Sequence, residues 1–384
     1  MFATTMVPGL RLTGSEVVSQ TFVDAMRGAG NRVVVLGYVR AGSSPELGAD
    51  EVGAGSRHIE TRDAGARVAL WLARAFAGRE PYSVAKYRSR RYAAELNAII
   101  ERLEPDLIVL DHAQMAWALP SGEPRIPTVL LAHNVEHEMY GRAARERTGP
   151  LAWINGREAR RMLAFEREAV ARADEAWALS PSDAAGLARL GAHEPVAFEF
   201  ASLSDIPPSG AEKRYDVGML GSWTWAANAR GLDWFFQEVY PLLGAGVSIA
   251  VGGAGGDRVV APRENVERLG RVPDAFRFLS RCRVIVAPSV SGAGIQIKTL
   301  DAIATGSPVV ATSFAMREID DPPATVTSVD DPAGVAQVIE ALLGQAPDDT
   351  AARQAREWSL ARGKRFEEAV AERVGNLLGA EAAP

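Results

Sequence analysis

The stretch Ser291-Gly-Ala-Gly-Ile-Gln-Ile-Lys-Thr-Leu-Asp-Ala-Ile-Ala-Thr-Gly-Ser-Pro-Val-Val-Ala-Thr312 places a glycine turn, a helical pattern and a strand pattern in close succession. The apolar run at 284–287 before it is typical of a buried parallel strand. Gly292 and Gly294 let backbone amides approach a ligand, because glycine carries no Cβ. Helical spacing from about residue 295 to 304 predicts that these amides lie at a helix N-terminus, which favours anions.

Lys298 and Asp301 lie three residues apart in the predicted helix, so their side chains share one face. The cation suits a phosphate, and the carboxylate suits sugar hydroxyls. Gly306 and Pro308 are typical of a helix end, and the next strand follows at 309–311. The pattern therefore predicts a phosphate and ribose site. An ordinary strand-helix-strand unit with a solvated lysine and aspartate is the alternative.

Residues 291–312 resemble the donor-site motif of retaining nucleotide-sugar glycosyltransferases of the GT-B fold, in family 4 (group 1). Members of that family carry a glycine loop, a leucine-acid-alanine helix and a glycine-x-proline-valine-valine run. The sequence departs at two points, since the usual second Glu is Asp301 and the first Glu falls at Ala293. The motif variant with Lys298 three residues before the acidic residue resembles that of a subgroup that acts in polysaccharide and glycoconjugate assembly.

Length and composition agree with an enzyme of two α/β domains. The chain has 384 residues, a hydrophobic content of 47% and a formal net charge of -6. This size exceeds one comfortable core, and the acidic balance gives no argument for a nucleic acid partner. The single cysteine, Cys282, precludes an intrachain disulfide and is expected to be a buried structural thiol. No apolar run reaches transmembrane length, so we expect a cytoplasmic protein, with peripheral contact at the inner membrane face as an option.

Short apolar runs alternate with helical patterns along the chain, which predicts parallel α/β architecture. A Pro- and Gly-containing break at 203–210 suits a linker. We predict an N-terminal Rossmann-like acceptor-binding domain at 1–202 and a C-terminal Rossmann-like nucleotide-sugar-binding domain at 203–355. A helical tail at 356–384 is expected to cross back to the first domain. The GT-B resemblance implies that these doubly wound domains face each other across a cleft.

The second domain opens with a strand that delivers Gly221 and Ser222 into a loop before a helix. Where the subgroup has tryptophan, proline and asparagine, this chain has Trp225, Ala227 and Asn228. Asn228 is expected to cap a helix that begins near residue 229, and binding to phosphate or sugar is its alternative role. The glycine run at 252–256 does not keep the dinucleotide spacing.

The resemblance implies a full set of donor-binding residues. Arg271 is a candidate neighbour of the base or phosphate, or else a surface arginine, and Arg230 is a further candidate cation. The implied donor-binding residues are Gly14, Ser15, Gly221, Ser222, Asn228, Arg271, Gly292, Ala293, Gly294, Ile295, Lys298, Thr299 and Asp301. The nucleotide-diphosphate sugar would be the donor substrate, and no cofactor is expected.

Histidines follow two neighbouring strands of the first domain. His112 coincides with the cleft histidine of the family, and a histidine at the carboxyl end of a strand in a doubly wound sheet favours function. The resemblance implies a catalytic role for His112 and Lys298, and acceptor binding by His133, Asn134 and Glu136. A metal site at His133 and His137 is disfavoured, because no third ligand pattern accompanies them.

Residues 67–95 interleave seven basic residues, two acidic residues and five aromatic residues. Such a segment could lie on an anionic membrane or hold a lipid diphosphate acceptor, and a partly buried helical face is the simpler interpretation. The resemblance implies metal-independent sugar transfer with retention, in which Lys298 and the loop amides stabilise the leaving diphosphate. A sugar-nucleotide epimerase of the same fold and a non-catalytic nucleotide-sugar binding protein are the alternatives.

Overall fold

A computed structural model describes residues 1–10, 13–58, 64–65, 67–119, 126–201, 212–258, 264–292 and 294–379. The chain divides into two compact units. The first comprises Met1–Glu199 together with the C-terminal segment that begins at Phe366, and the second comprises Phe200–Arg365. The linker predicted at 203–210 lies outside the described residues, as does the predicted boundary at 202 and 203.

The first unit is built on a seven-stranded sheet in which every neighbouring pair is parallel. The strand order is β3-β2-β1-β4-β5-β6-β7. Its strands are β1 Phe2–Met6, β2 Val35–Arg40, β3 Glu51–Arg57, β4 Ile108–Asp111, β5 Thr128–Ala132, β6 Glu175–Ala178 and β7 Val196–Ala197. Its helices are α1 Gly14–Gly28, α2 Arg67–Ala77, α3 Tyr82–Tyr87, α4 Arg90–Leu103, α5 Glu136–Arg145, α6 Gly149–Arg172 and α7 Pro181–Leu190.

The central strands of this sheet are apolar because helices cover them on both faces. All residues of β1, β4 and β5 are buried, as expected for parallel strands inside an α/β domain. Helix α1 begins at Gly14, because the Thr13 side chain accepts the Glu16 N–H at 3.3 Å and caps the helix there. Gly14 and Ser15 therefore lie in the first turn of α1.

The second unit repeats the same plan with a six-stranded parallel sheet of order β10-β9-β8-β11-β12-β13. Its strands are β8 Tyr215–Leu220, β9 Ile249–Gly252, β10 Val266–Gly270, β11 Cys282–Ala287, β12 Val309–Ala311 and β13 Val326–Ser328. Its helices are α8 Ala226–Trp234, α9 Ala275–Ser280, α10 Ile297–Ala304, α11 Ser313–Met316 and α12 Pro332–Leu343. The prediction of two doubly wound Rossmann-like domains is confirmed.

Cys282 is the first residue of β11 and is completely buried. Its thiol donates a weak hydrogen bond to the Phe278 carbonyl at 3.4 Å, and burial raises the pKa of the thiol to about 12. A thiol in this state is a poor nucleophile. The prediction of a buried structural cysteine is confirmed.

The C-terminal helix α13 spans Asp349–Gly379 and so begins before the tail predicted at 356–384. Phe366 is completely buried, and its ring lies 4.9 Å from that of Phe22 on α1. The Arg373 side chain forms an ion pair with Glu175 at 3.3 Å. The last part of the helix is therefore an integral element of the first unit. Within the described residues, no helix is both long and apolar enough to cross a bilayer.

The strand order of each sheet reverses at one point, between β1 and β4 in the first unit and between β8 and β11 in the second. In open α/β sheets, ligands bind beyond the carboxyl ends of the strands at this reversal. The loops after β1, β4, β8 and β11 are therefore the places where the fold itself favours a binding site. The predicted site residues Ser15, His112, Ser222 and Gly292 belong to these loops or to the helix that follows them.

Candidate functional site

The glycine loop after β11 turns sharply before α10. Gly292 has a φ of 126° and Gly294 a φ of 65°, which is backbone that glycine adopts without strain. These angles are incompatible with a right-handed helix, so α10 begins only at Ile297. The helix start predicted at about residue 295 is thus wrong, and Gly292, Gly294 and Ile295 lie in the loop before the helix. Ala293 lies outside the described residues.

Three cationic side chains from different elements approach this loop. The Arg317 Nε donates to the Gly294 carbonyl at 2.6 Å, and the Arg230 Nε donates to the Ser291 hydroxyl at 2.9 Å. Lys298 lies in the first turn of α10. Arg317 is further held by a bond from its Nη1 to the Phe314 carbonyl at 3.1 Å and by stacking 4.1 Å from the Phe314 ring centroid. Three positively charged side chains are therefore concentrated at this loop.

Lys298 is held at the loop by side chains from the preceding strand-helix unit. Its Nζ donates to the Asn228 Oδ1 at 2.9 Å and lies 5.6 Å from the centroid of the Trp223 ring. Burial, together with the nearby charge of Arg317, lowers the pKa of Lys298 to about 8. Desolvation and the like charge of Arg317 both oppose the protonated form of Lys298. A bound anion would stabilise that form, because it would interact favourably with both cations.

Asn228 has a different role from the predicted cap. Helix α8 begins at Ala226, and Trp225 occupies the N-cap position without a side-chain hydrogen bond. The Asn228 Nδ2 donates to the Ser222 carbonyl at 3.1 Å, while its Oδ1 accepts from Lys298. The prediction of Asn228 as a helix cap is therefore wrong, because the helix has already started two residues earlier. Asn228 instead ties the loop after β8 to Lys298.

A close approach of α8 to the loop after β11 brings these groups together. A Cβ at Gly231 would lie 1.7 Å from the Pro288 carbonyl oxygen, so only glycine fits where the helix meets this backbone. The neighbouring Arg230 thereby reaches Ser291. Trp223 is buried beside this contact and donates its indole N–H to the Gly252 carbonyl at 2.8 Å. Gly221 and Ser222 thus lie in the turn that also positions Trp223.

The remaining predicted donor residues of the second unit differ in their placement. Thr299 is completely buried, and its hydroxyl makes no hydrogen bond within the described residues. Asp301 lies one turn beyond Lys298 on α10 and is half-buried. Arg271 is exposed directly after β10, and none of the described hydrogen bonds joins it to the glycine loop. Among the predicted donor residues of the second unit, Asn228 therefore bonds directly to Lys298 and Ser222 bonds to Asn228, whereas Arg271 lies apart from them.

Arg317 is the residue of this site that the sequence did not point to. It follows the short helix α11, outside the motif at 291–312. A single arginine outside any recognisable motif gives no local indication of a binding role. Only the parallel pairing of β11 with β12 brings its strand-end next to the glycine loop.

In the first unit, the site at the strand ends is organised around a buried carboxylate. Asp111, the last residue of β4, is completely buried. Its Oδ2 accepts hydrogen bonds from Thr4 and Ser19, both at 2.6 Å, and its Oδ1 accepts from the His133 ring at 2.7 Å. Burial alone would raise the pKa of Asp111, but His112, His133 and these hydrogen bonds hold it well below its usual range. Asp111 is therefore ionised and fixed.

His112 follows Asp111 in a conformation that is rare for a side-chain-bearing residue. Its φ is 73°, and non-glycine residues with such angles occur where the surroundings enforce them, often at functional sites. The Nε2 of His112 shares a hydrogen bond with the Ser15 hydroxyl at 2.8 Å, and its ring lies 3.9 Å from the His133 ring. Burial and the neighbouring His133 lower the pKa of His112 to about 4, against the opposing effect of Asp111. His112 is thus a neutral hydrogen-bonding group.

The ligand atoms of Asp111, His112 and His133 lie within 4.8 Å of one another, a spacing that a metal ion could bridge. The chemistry of the donor set argues for a hydrogen-bond network. Both oxygens of Asp111 already accept hydrogen bonds, and His133 uses its Nε2 for one of them. His137, in contrast, bonds through its Nδ1 to Glu166 at 2.8 Å, so it does not share a centre with His133.

The segment after β5 places Asn134 and Glu136 at the same edge of the sheet as His112. Asn134 is half-buried, and Glu136 is the buried first residue of α5. Burial raises the pKa of Glu136 to about 7, opposed by a hydrogen bond with Gln114 and reinforced by Glu166. Glu166 itself accepts the backbone N–H groups of Glu136 at 2.7 Å and of His137 at 3.0 Å, and so caps α5.

Two family models match this chain over separate ranges. Residues 12–197 match the model described as Glycosyltransferase Family 4, and residues 214–345 match the model described as Glycosyl transferases group 1. The first match covers strands β2 to β7 of the sheet next to which Asp111 and His112 lie, and the second covers the sheet that precedes the glycine loop. No protein with a curated function matches the chain in a sequence comparison.

Solved structures of similar fold cover nearly the whole chain. Sucrose-phosphate synthase from Thermosynechococcus elongatus is 16% identical, with a TM-score of 0.65 over 100% of this chain and 98% of that one. WaaG, a glycosyltransferase involved in lipopolysaccharide biosynthesis, is 15% identical, with a TM-score of 0.60 over 98% of each chain. Anabaena HepE, solved with UDP-glucose, is 15% identical, with a TM-score of 0.58 over 99% of this chain and 98% of that one.

Identities this low establish the fold, and the two family models establish what kind of protein adopts it. The structural neighbours are GT-B glycosyltransferases with two Rossmann-like domains. The two matched ranges together include every strand of both sheets except β1. The chain therefore belongs to the family 4, group 1 glycosyltransferases and is an enzyme of the GT-B fold.

Proposed function

We propose that this glycosyltransferase moves a sugar from a nucleotide-diphosphate donor to a hydroxyl group, with retention of configuration at the anomeric carbon. The observation that supports this most is the convergence of Lys298, Arg317 and Arg230 on the glycine loop after β11. A diphosphate leaving group carries several negative charges, and preorganised cations at that position stabilise it in the transition state.

The proposed reaction breaks the bond between the anomeric carbon and the leaving phosphate oxygen. A bond from the same carbon to the acceptor oxygen forms, and the acceptor proton passes to the leaving phosphate oxygen. Lys298 and Arg317 neutralise the charge that develops on the diphosphate, so the proposal requires neither a metal ion nor another cofactor. Asp301, one turn beyond Lys298, would accept hydrogen bonds from the ribose hydroxyls.

In the first unit, we assign the recognition of sugar hydroxyls to His112 and Ser15. A neutral imidazole and a hydroxyl can donate and accept hydrogen bonds, which suits an uncharged polar ligand. Asp111 and His133 would fix the orientation of His112, as a carboxylate does for a histidine in other sites. Because His133 and Glu136 are both buried, and His133 is also bonded to Asp111, acceptor contacts are assigned mainly to the half-buried Asn134.

The acceptor is proposed to be a saccharide, a glycolipid or a lipid-linked sugar in the assembly of a polysaccharide or glycoconjugate. This proposal extends from the resemblance of the motif around Lys298 to a subgroup with that activity. A lipid-linked acceptor would require the enzyme to work in the cytoplasm at the inner membrane face, by peripheral contact.

The direct test is to incubate the protein with a panel of nucleotide sugars and to measure nucleotide release, with and without lipid-linked and soluble saccharide acceptors. Acceptor-dependent release with an unchanged anomeric configuration in the product would support the proposal. A chelator such as EDTA is expected to leave the rate unchanged. Inversion of the product, a sugar epimerised without any acceptor, or activity abolished by EDTA would each contradict the corresponding part.

A further inference from the structure

Large apolar side chains are exposed together on two helices of the first unit. Most of those exposed in the described part of the chain lie on α2 or in the first two turns of α6. These are Leu70, Leu72, Phe76, Leu151, Trp153 and Ile154. Monomeric proteins rarely leave such a group uncovered without a purpose, since clustered apolar surface favours association.

Two arginines of α6 connect these helices into one surface. The Arg157 guanidinium stacks 4.2 Å from the centroid of the Phe76 ring, and its Nη2 donates to the Ala75 carbonyl at 3.0 Å. Arg161 donates to the same carbonyl at 3.0 Å. Trp153 and Ile154 precede Arg157 by one helical turn, so they lie on the same side of α6. We name this surface, formed by α2 and the first two turns of α6, the α2/α6 patch.

Helix α2 buries one narrow side, and its other sides expose apolar side chains and arginines. Trp71 and Ala75 are the residues of this helix that are buried. Leu70 and Phe76 point outward with exposures of 50% and 51%, and the charged residues of the helix are both arginines. A soluble surface helix normally presents polar side chains opposite its buried side. Helix α2 presents leucine, phenylalanine and arginine there instead.

The charge around the patch is strongly positive, in contrast to the formal net charge of -6 for the whole chain. Residues 67–79 contain three arginines and no acidic residue, and residues 142–161 contain six arginines and two glutamates. One of these glutamates, Glu158, is buried and accepts the N–H groups of Tyr82 and Ser83. The exposed arginines include Arg67, Arg74 and Arg160.

We propose that the α2/α6 patch is a docking surface for a lipid bilayer that contains anionic phospholipids. Leucine, phenylalanine and tryptophan would enter the boundary between headgroups and acyl chains, while the surrounding arginines bind lipid phosphates. Trp153, 59% exposed, suits that boundary because its ring is amphipathic. The proposal builds on the proposed function, which places a lipid-linked acceptor at the inner membrane face.

The test is co-sedimentation with phosphatidylcholine vesicles that contain or lack phosphatidylglycerol. The full-length protein should bind the anionic vesicles and should bind neutral vesicles at least about tenfold more weakly. The double variant Arg74→Glu/Arg160→Glu should weaken binding to anionic vesicles about tenfold or more. The variant Phe76→Ser/Trp153→Ser should cause a loss of similar size, because it removes the apolar contribution. All four substituted residues are solvent-exposed, and Phe76 also stacks against Arg157. Circular dichroism melting verifies folding.

Matched controls separate this surface from general effects of charge and hydrophobicity. Arg277→Glu and Leu360→Ser change an exposed arginine and an exposed leucine of the second unit, and both should leave vesicle binding unchanged. Brominated lipids should quench tryptophan fluorescence in the wild type and quench it less in Trp153→Phe. Equal binding of the patch variants and the wild type would overturn the proposal. So would a patch-dependent dimer in sedimentation velocity that binds no vesicles.

The vesicle assay is independent of the proposed reaction. Lys298→Ala, which should lose donor binding, is expected to bind anionic vesicles like the wild type. The patch variants should keep the wild-type rate with a water-soluble acceptor. A protein that binds vesicles through the patch but transfers no sugar would therefore contradict the proposed function alone, and one that transfers sugar but ignores vesicles would contradict the docking surface alone.

Discussion

The two units of this enzyme share one topology and place different chemistry at the same point of it. In both sheets the strand order reverses once, and the candidate site occupies the loops next to that reversal. The first unit gathers a buried carboxylate, two imidazoles and hydroxyl groups around Asp111. The second gathers Lys298, Arg317 and Arg230 around a glycine loop.

The difference agrees with the two kinds of ligand that we propose for the two sites. Burial lowers the pKa of His112 to about 4 and so leaves a neutral group suited to sugar hydroxyls. Burial also lowers the pKa of Lys298 to about 8, yet the lysine remains mostly protonated at neutral pH beside Arg317. The second unit therefore keeps a positive charge where a diphosphate would bind. The scaffold supplies the position, and the loop residues supply the specificity.

Among the variants that test the difference between the two units, Lys298→Ala should have the largest effect on the rate of transfer. Removal of the buried cation takes away charge stabilisation of the leaving group, and transfer should fall on the order of 10³-fold or more. Steady-state nucleotide release measures the loss, with thermal melting to verify the fold. Lys298→Arg keeps the charge and should recover part of the activity. Turnover near that of the wild type in Lys298→Ala would disprove the assignment.

Glu136→Gln tests whether burial raises the pKa of Glu136, through the pH dependence of the free energy of unfolding. Burial raises the pKa of Glu136 from 4.5 to about 7, so the native state binds a proton more tightly than the unfolded state. The contribution of Glu136 to stability therefore falls as pH rises from about 4.5 to 7 and is constant above that. Relative to the wild type, Glu136→Gln should gain about 3 kcal/mol across this interval. Urea unfolding at several pH values measures the difference, and a difference that does not change with pH would refute it.

His112→Ala should lower transfer about tenfold to a hundredfold, because it removes hydrogen bonds to an uncharged ligand. The affinity for a free nucleoside diphosphate should change little, since that ligand is assigned to the other unit. Ser15→Ala, which removes the hydroxyl that bonds to His112, should have a smaller effect in the same direction. A large loss of nucleotide affinity in His112→Ala would break the proposed division of roles.

Arg317→Gln should have the smallest effect and the most specific signature. The affinity for a nucleoside diphosphate should fall about tenfold at neutral pH, because one charged hydrogen-bond donor is lost. In the wild type the affinity should decline as pH rises through about 8, where Lys298 loses its proton. Without the charge of Arg317 the pKa of Lys298 rises, so this decline should move to higher pH. An unchanged pH profile would mean that the two cations do not act on one ligand.

Much of the fold follows from local patterns in the sequence. The apolar runs of parallel strands, the helical spacing between them and the glycine and proline stops predict two doubly wound domains. The motif around Lys298 predicts which strand-end carries the anion site. These features can be predicted from the sequence because each depends on residues that are neighbours in the chain.

The rest depends on contacts that local spacing does not encode. Arg317 reaches the glycine loop only because β12 pairs with β11. Asn228 was predicted as a helix cap, but α8 starts earlier and frees it to bind Lys298. The cluster of Thr4, Ser19 and His133 around Asp111 joins residues from four separate elements or loops. Such contacts between residues that are distant in the sequence can be identified only from the three-dimensional structure.

The central claim is that the glycine loop of the second unit binds the diphosphate. Calorimetric titration can compare a nucleoside diphosphate with the matching monophosphate, in the wild type, Lys298→Ala and His112→Ala, for each common base. The account predicts that the wild type and His112→Ala prefer the diphosphate and that Lys298→Ala loses this preference. A Lys298→Ala variant that still prefers the diphosphate as strongly as the wild type would contradict it.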